Sequence, residues 1–501
     1  MSNIKEIDTD KGRIRGQMEN GLFVFRGIPY AKAPIGELRF KRAREHEDWE
    51  GTLDCFDYGN KCWQFGGGKF QSLCDTATPS SEDCLYLNVW TKEEYEKKPV
   101  FVWIHGGGQY SGEASQPEYE LTSFARDGAV AVSFNYRLGA LGFYDFSSYS
   151  EEFESNCAIS DMIMALKWVK RNIEVFGGDP ENVTLCGESA GGTCVMALLG
   201  APQARECFRR AVIMSGVLFN ITGKQIQDYN IRVFFEQTGI DAEHIEELKE
   251  LEYERLLKGC KCRFEGVYKD KPGMLTCGPV IDDIIVKDPV AALNDGDLAG
   301  REIMIGTCKN EGGLFNYMKL SFGSFADALT VLHLNGMTDR VNDFSLAYAP
   351  GASGSEEEKR AITDFCTDMR FWAGSVRLAR AAAKHNSVYM YRFDYETPVS
   401  RLLKMGATHT MDIAAAFDNK GSALYKFALD DAGVKKNLHG CFMRFIMTGN
   451  PNEKENEKSR IPAWPRYTPE EGATMLVNKS MQLVLSPRAK FYELWKDAEL
   501  Y

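Results

Sequence analysis

Gly187-Glu188-Ser189-Ala190-Gly191 constrains this chain more than any other stretch. It follows the apolar run Val183-Thr184-Leu185-Cys186 and precedes a helix-like run from Thr193 to Leu199. A G-x-S-x-G between a strand and a helix reads as a nucleophile elbow. Such a turn lifts a hydroxyl clear of its neighbours on a strained backbone. Small residues must flank it, because the strand and the next helix approach closely there. The pentapeptide alone also occurs in ordinary loops and helix starts. The strand before it and the helix after it are what give it weight.

Apolar runs that include β-branched residues recur along the chain: Val100 to Ile104, Val130 to Phe134, Val183 to Cys186, Ala211 to Met214, Ile303 to Ile305 and Val388 to Tyr391. They fit strands buried on both faces of a mainly parallel sheet. Helix-period segments lie between them. Ser160 to Val175 is one, with Ile163, Leu166, Trp168, Val169 and Ile173 as its apolar positions. Phe365 to Lys384 is another, ending in Lys and His as a helix C-terminus favours. Strand–helix alternation predicts a doubly wound α/β core. Ile14, Leu22, Val24 and Ile28 around Asn20-Gly21 predict an antiparallel hairpin added at the sheet edge. Polar loops are expected at Gly66 to Glu82, Pro350 to Glu358 and Asn450 to Ser459. No repeat or long linker divides the chain, so residues 1–501 read as one large domain with insertions.

Hydrophobic residues make up 44% and charged residues 26%, as in a soluble globular enzyme. The net charge of −12 and the lack of a basic stripe argue against a nucleic-acid partner. No apolar run approaches a membrane span. Met1-Ser2-Asn3-Ile4-Lys5-Glu6 carries no secretory signal pattern. The fourteen cysteines are scattered; Cys186, Cys194 and Cys207 sit in apolar patterns and read as small buried hydrophobes. Cys260-Lys261-Cys262 is too tight for a zinc knuckle and lacks a second pair, so no metal is expected. Free thiols in a reducing cytoplasm are the expectation.

A serine nucleophile needs a base, a group that orients the base, and donors for the developing oxyanion. His105-Gly106-Gly107-Gly108 follows the run Val100 to Ile104. Three glycines let backbone N–H groups crowd a carbonyl oxygen without a side-chain collision. The amides of Gly107, Gly108 and Ala190 are the expected oxyanion hole. A bare glycine turn is the plainer reading of the same residues, but it rarely coincides with an elbow by chance.

Seven histidines are available as the base. Chains built around this elbow run in the order nucleophile, acid, histidine. His46 and His105 then come too early. His244 lies in a charged run and reads as solvated; His333 and His385 lie in helical segments with apolar neighbours and read as packing residues. His439 is near a helix that continues into Cys441-Phe442-Met443. His409 remains, on a loop beyond the run at Val388. The acid must lie between Ser189 and His409. Glu311 follows the run Ile303 to Ile305 on a glycine-rich loop and can turn inward to an imidazole. Asp412 competes, but only three residues past His409 it reads as bracing that loop through backbone hydrogen bonds.

These residues sit in a chain that resembles the type-B carboxylesterase and cholinesterase family of α/β-hydrolases over nearly its whole length. Phe25-Arg26-Gly27-Ile28-Pro29-Tyr30-Ala31, with Pro34, Gly36 and Leu38-Arg39-Phe40, is similar to the family's N-terminal signature. Ser81-Glu82-Asp83-Cys84-Leu85-Tyr86-Leu87-Asn88-Val89 is similar to the second. Asn135-Tyr136-Arg137, Ala165-Leu166-Lys167-Trp168-Val169, Asn172-Ile173 and Phe176-Gly177-Gly178-Asp179-Pro180 fit its central block. The resemblance implies an α/β-hydrolase fold: a mostly parallel twisted sheet with helices on both faces, and helical and loop insertions over an active-site gorge. It implies the triad Ser189, Glu311 and His409, and the oxyanion hole Gly107, Gly108 and Ala190. It also implies supporting roles near the histidine for Glu188 and Ser215, and structural ion pairs Arg39–Glu82 and Arg137–Asp161.

The departures from the family pattern concern the pocket. Cys74 stands where cholinesterases carry a choline-stacking tryptophan, so cation–π capture of a quaternary ammonium loses its support. Cys62 and Cys84 occupy the positions of the family's first disulfide; free thiols are expected without a secretory signal, and a bridge if the protein is exported. Asn156-Cys157-Ala158-Ile159-Ser160-Asp161-Met162 replaces the usual glycine, leucine and glutamine. The chain ends soon after Trp495 without a tetramerisation tail, and a monomer or weak homo-oligomer is expected. The expected reaction is hydrolysis of a small-molecule ester through an acyl-enzyme, with no cofactor and no metal. Amides, carbamates, thioesters and feruloyl-type esters suit the same machinery, and a non-catalytic binding homologue is the remote alternative. Gly66 to Ser81, Phe315 to Phe325 and the loop around Met405 are expected to line the gorge.

Overall fold

The computed structural model describes residues 3–64, 76–92, 97–265, 277–419, 421–425, 428, 431–453 and 461–500. Cys74 and the greater part of the expected loop 66–82 lie outside the described residues, as do 454–459 of the loop expected at 450–459 and the side chains of Lys261 and Cys262.

The strands are β1 Ile4–Asp8, β2 Arg13–Glu19, β3 Leu22–Pro29, β4 Thr52–Asp54, β5 Lys61–Cys62, β6 Ser80–Ser81, β7 Tyr86–Thr91, β8 Lys98–Ile104, β9 Val130–Phe134, β10 Gly178–Glu188, β11 Arg210–Met214, β12 Glu302–Cys308, β13 Ser387–Phe393, β14 Ala473–Val477 and β15 Gln482–Leu485. One sheet runs in the order β1-β2-β3-β7-β9-β8-β10-β11-β12-β13-β14-β15, with β4 beside β2. From β9 to β14 every neighbouring pair is parallel; β1, β2, β3 and β7 continue antiparallel to one edge, and β15 closes the other. The expected edge hairpin is β2–β3, turning at Asn20-Gly21.

The continuous apolar runs have the cause expected of them. Val100, Val102 and Ile104 of β8 enter one core, while Phe101 and Trp103 enter the other. Both faces are covered, so neither parity can be polar. Helices α1 Cys157–Asn172 and α2 Ala190–Leu199 pack on the first face; α5 Ala432–Thr448 covers the second with Phe442 and Phe445. The segment expected as one helix from Phe365 to Lys384 is two, α3 Glu356–Thr367 and α4 Ala373–Ala382, joined by a π turn at Asp368–Trp372. The loop expected to reach Glu358 ends earlier because Ser355 caps α3, accepting from Glu358 N.

Arg39 holds Glu82 through Nε at 2.8 Å in a partly buried pair, and Arg137 holds Asp161 at 2.6 Å fully within the fold. These charges serve structure. Cys62 and Cys84 are buried free thiols, unbridged. The hydrogen bond with Cys62, and then burial, push the Cys84 thiol well up. Among the described residues, no helix is long and apolar enough to cross a membrane.

Candidate active site

The chain visits β8, then β9 on one side of it, then β10 on the other. This reversal opens a crevice beyond the C-terminal ends of β8 and β10. The two glycine motifs sit there, one after each strand. Ser189 has φ 56° and ψ −120°, a left-handed conformation that strains a residue with a Cβ. Its N–H donates to Met214 O at 2.9 Å, tying the turn to β11. A Cβ on Gly187 would stand 2.5 Å from the carbonyl of Gly191, and one on Gly191 would collide with Ile104 O. Both flanking glycines are therefore steric requirements of the turn.

The other loops follow strands of the same parallel set. Glu311 comes three residues after β12 and His409 sixteen after β13. Asn310 N donates to Ala407 O at 2.9 Å, and Leu314 N donates to Thr408 Oγ1 at 2.6 Å, so the two loops are stitched together. His409 Nδ1 lies 2.6 Å from Glu311 Oε2, and His409 Nε2 lies 2.8 Å from Ser189 Oγ. In the neutral imidazole, Nδ1 facing a carboxylate carries the proton, which leaves Nε2 as an acceptor for the serine hydroxyl. Glu311 is held in turn: its Oε1 accepts from Ser215 Oγ at 2.6 Å and from Cys308 N at 2.6 Å. Ser215 thus bonds Glu311, which in turn bonds His409.

Glu188, buried beside the elbow, places Oε1 3.3 Å from His409 Nε2. Burial lifts Glu188 to about 8, against the pull of His409. Burial pushes His409 down, but the charges of Glu188 and Glu311 outweigh it and raise the imidazole to about 9. Asp412 is raised to about 6 by burial and by Glu311. It lies in the first turn of the helix Met411–Ala416, where a local backbone hydrogen bond is joined by one from the Tyr391 hydroxyl of β13 at 2.7 Å.

Gly107 and Gly108 have φ of 119° and 66°, and Gly106 packs directly against Glu188 and Ser189. His105 does more than its early position suggests. Its Nδ1–H donates to Gly106 O at 2.9 Å, fixing the peptide whose N–H belongs to Gly107. The ring stacks on Tyr136 at 4.4 Å, and Tyr136 OH donates to His105 O at 2.7 Å. Burial holds His105 down at about 4, so it stays neutral.

A match to the model of the carboxylesterase family spans residues 3–495. The chain belongs to the carboxylesterase family. This carboxylesterase is 33% identical over 97% of both chains to para-nitrobenzyl esterase of Bacillus subtilis. It is 32% identical over 94% of both to phenmedipham hydrolase of Pseudarthrobacter oxydans. A solved para-nitrobenzyl esterase superposes with a TM-score of 0.85 at 30% identity, covering 99% of each chain. A carboxylesterase of Geobacillus stearothermophilus does so with a TM-score of 0.81 at 32% identity, covering 98% of this chain and 99% of its own. The carboxylesterase has the α/β-hydrolase fold and is a serine hydrolase of carboxylic esters.

Two of the other histidines differ from expectation. His333 and His385 are exposed at helix ends, bonded to Thr338 Oγ1 and Asn294 O. Apolar neighbours in sequence do not bury a side chain once the helix is ending. Of the expected gorge segments, Phe315 stands at the site, its ring 5.4 Å from that of His409.

Proposed function

We propose that Ser189 is the acyl-accepting nucleophile, His409 the base and Glu311 the group that orients it. The observation that carries this reading is the single imidazole bridging Ser189 Oγ at 2.8 Å and Glu311 Oε2 at 2.6 Å. Nε2 takes the hydroxyl proton as Oγ bonds to the ester carbonyl carbon. The carbonyl oxygen becomes an oxyanion, received by the N–H groups of Gly107, Gly108 and Ala190. The tetrahedral adduct collapses, the C–O bond to the alcohol breaks, and His409 returns the proton to that oxygen. Water then repeats the sequence on the acyl-enzyme: His409 takes its proton, the carboxylic acid leaves, and Oγ recovers its hydrogen. Glu311 holds the imidazole and stabilises the imidazolium.

A fluorophosphonate tests the nucleophile. The adduct should map to the peptide that carries Ser189, and Ser189→Ala should abolish it. Labelling of a different residue in the folded wild type contradicts the assignment.

The sheet running from Ile4 to Leu485 supports one domain over residues 1–501. The unbridged thiols of Cys62 and Cys84 support a reducing cytoplasm. A monomer or weak homo-oligomer is the assembly we propose, with small-molecule esters and no nucleic acid as partners.

A further inference from the structure

The π turn between α3 and α4 adds a residue to the helical repeat, a device that recurs at functional sites. Here it carries Arg370 and Phe371 toward His409. The Phe371 ring lies 4.8 Å from the imidazole and 5.8 Å from the ring of Phe315, which itself flanks His409. The Arg370 guanidinium lies 5.0 Å over Phe315.

Arg370 is 1% exposed. Two other arginines are buried to a similar degree, and each faces a carboxylate: Arg137 meets Asp161 at 2.6 Å and Arg210 meets Glu302 at 3.2 Å. Arg370 has no carboxylate partner among the described residues, and its Nε and Nη1 have no hydrogen-bond acceptor. Taking a guanidinium out of water without a counter-charge is heavily penalised. One aromatic face offsets only part of that penalty. An anion arriving at Arg370 would recover the rest, and a planar fork of N–H donors suits a carboxylate best.

We propose that Arg370 anchors a carboxylate on the ester substrate, so that esters bearing a free carboxylate a few atoms from the scissile bond are preferred. The inference rests on the reading of Ser189 and His409 as the reacting pair, because it places the anchor one ring away from them. The partly exposed Phe315 ring is the surface across which the linking atoms lie. The carboxylate belongs to the acyl arm or to the leaving arm, and the chemistry of recognition is the same for both.

Two ester pairs separate the arms. Mono-p-nitrophenyl glutarate against p-nitrophenyl valerate tests the acyl arm. 4-Acetoxybenzoate against its methyl ester tests the leaving arm. Spontaneous hydrolysis is subtracted with Ser189→Ala enzyme. In the wild type, kcat/KM for the anionic member of one pair should equal or exceed that of its neutral partner, despite the chain's net charge of −12. In Arg370→Met the anionic-to-neutral ratio for that pair should fall by about tenfold or more, mainly through KM. Arg370→Lys should restore part of it. A wild type that turns over the neutral esters and rejects both anionic ones overturns the proposal without reference to any variant. So does a ratio unchanged in folded Arg370→Met. Failure to turn over any of the four esters would instead count against the reading of Ser189.

Discussion

Glu188 Oε1 stands 3.3 Å from His409 Nε2, the same nitrogen that faces Ser189 Oγ. A carboxylate there holds a proton on the imidazole and so opposes its work as a base. Burial, which lifts Glu188 to about 8, moderates that opposition by neutralising the carboxylate. The base must be unprotonated to act, so the acid limb of kcat/KM marks proton loss from the His409–Glu188 pair. Glu188→Gln removes the charge that helps raise His409 to about 9. The acid limb should then move to lower pH by about one pH unit. A limb that stays in place means that Glu188 does not set the histidine's affinity for protons.

Two carboxylates compete for the role of acid, and their partners separate them. Glu311 meets His409, Ser215 and Cys308, whereas Asp412 meets Tyr391. Glu311→Gln should lower kcat by about 10⁴, the cost of losing the correct imidazole tautomer. Asp412→Asn should cost far less, because its chief bond comes from a hydroxyl that an amide oxygen also accepts. Steady-state kinetics on both folded variants decide, and the reverse ranking would assign the role to Asp412.

His105 bonds Gly106 O, and that peptide carries the N–H of Gly107. His105→Phe keeps a ring for Tyr136 to stack on and removes the donor. His105→Asn keeps a donor and removes the ring. The phenylalanine variant should lose about tenfold or more in kcat, with KM little changed and weaker binding of a trifluoromethyl ketone. Asparagine should recover part of the loss. Equal losses in both variants would mark His105 as a packing residue only. Because burial holds His105 at about 4, neither variant should alter the pH profile near neutrality.

Much of the site was legible because its parts are local. Each loop follows a strand, and glycines mark where backbones approach. The elbow and the glycine triplet declare themselves within a few residues, whereas Glu311 and His409 are expected from chain order and the family resemblance. What escaped depends on packing between distant segments. Asp412 finds Tyr391 only after β13 and the helix Met411–Ala416 meet. The helix period through Phe365 to Lys384 is nearly unbroken in sequence, so it hides the π turn that brings Arg370 toward the histidine. Chain order excludes His105 as the base, and order says nothing about a side chain that orients a peptide.

The central claim is that Ser189 carries the acyl group. Turnover of p-nitrophenyl acetate by Ser189→Ala, beside wild type and with folding checked by circular dichroism, tests it most directly. The variant should lose about 10⁴-fold or more in kcat, keeping only what the oxyanion donors and binding supply. Activity within a few-fold of wild type would contradict the account.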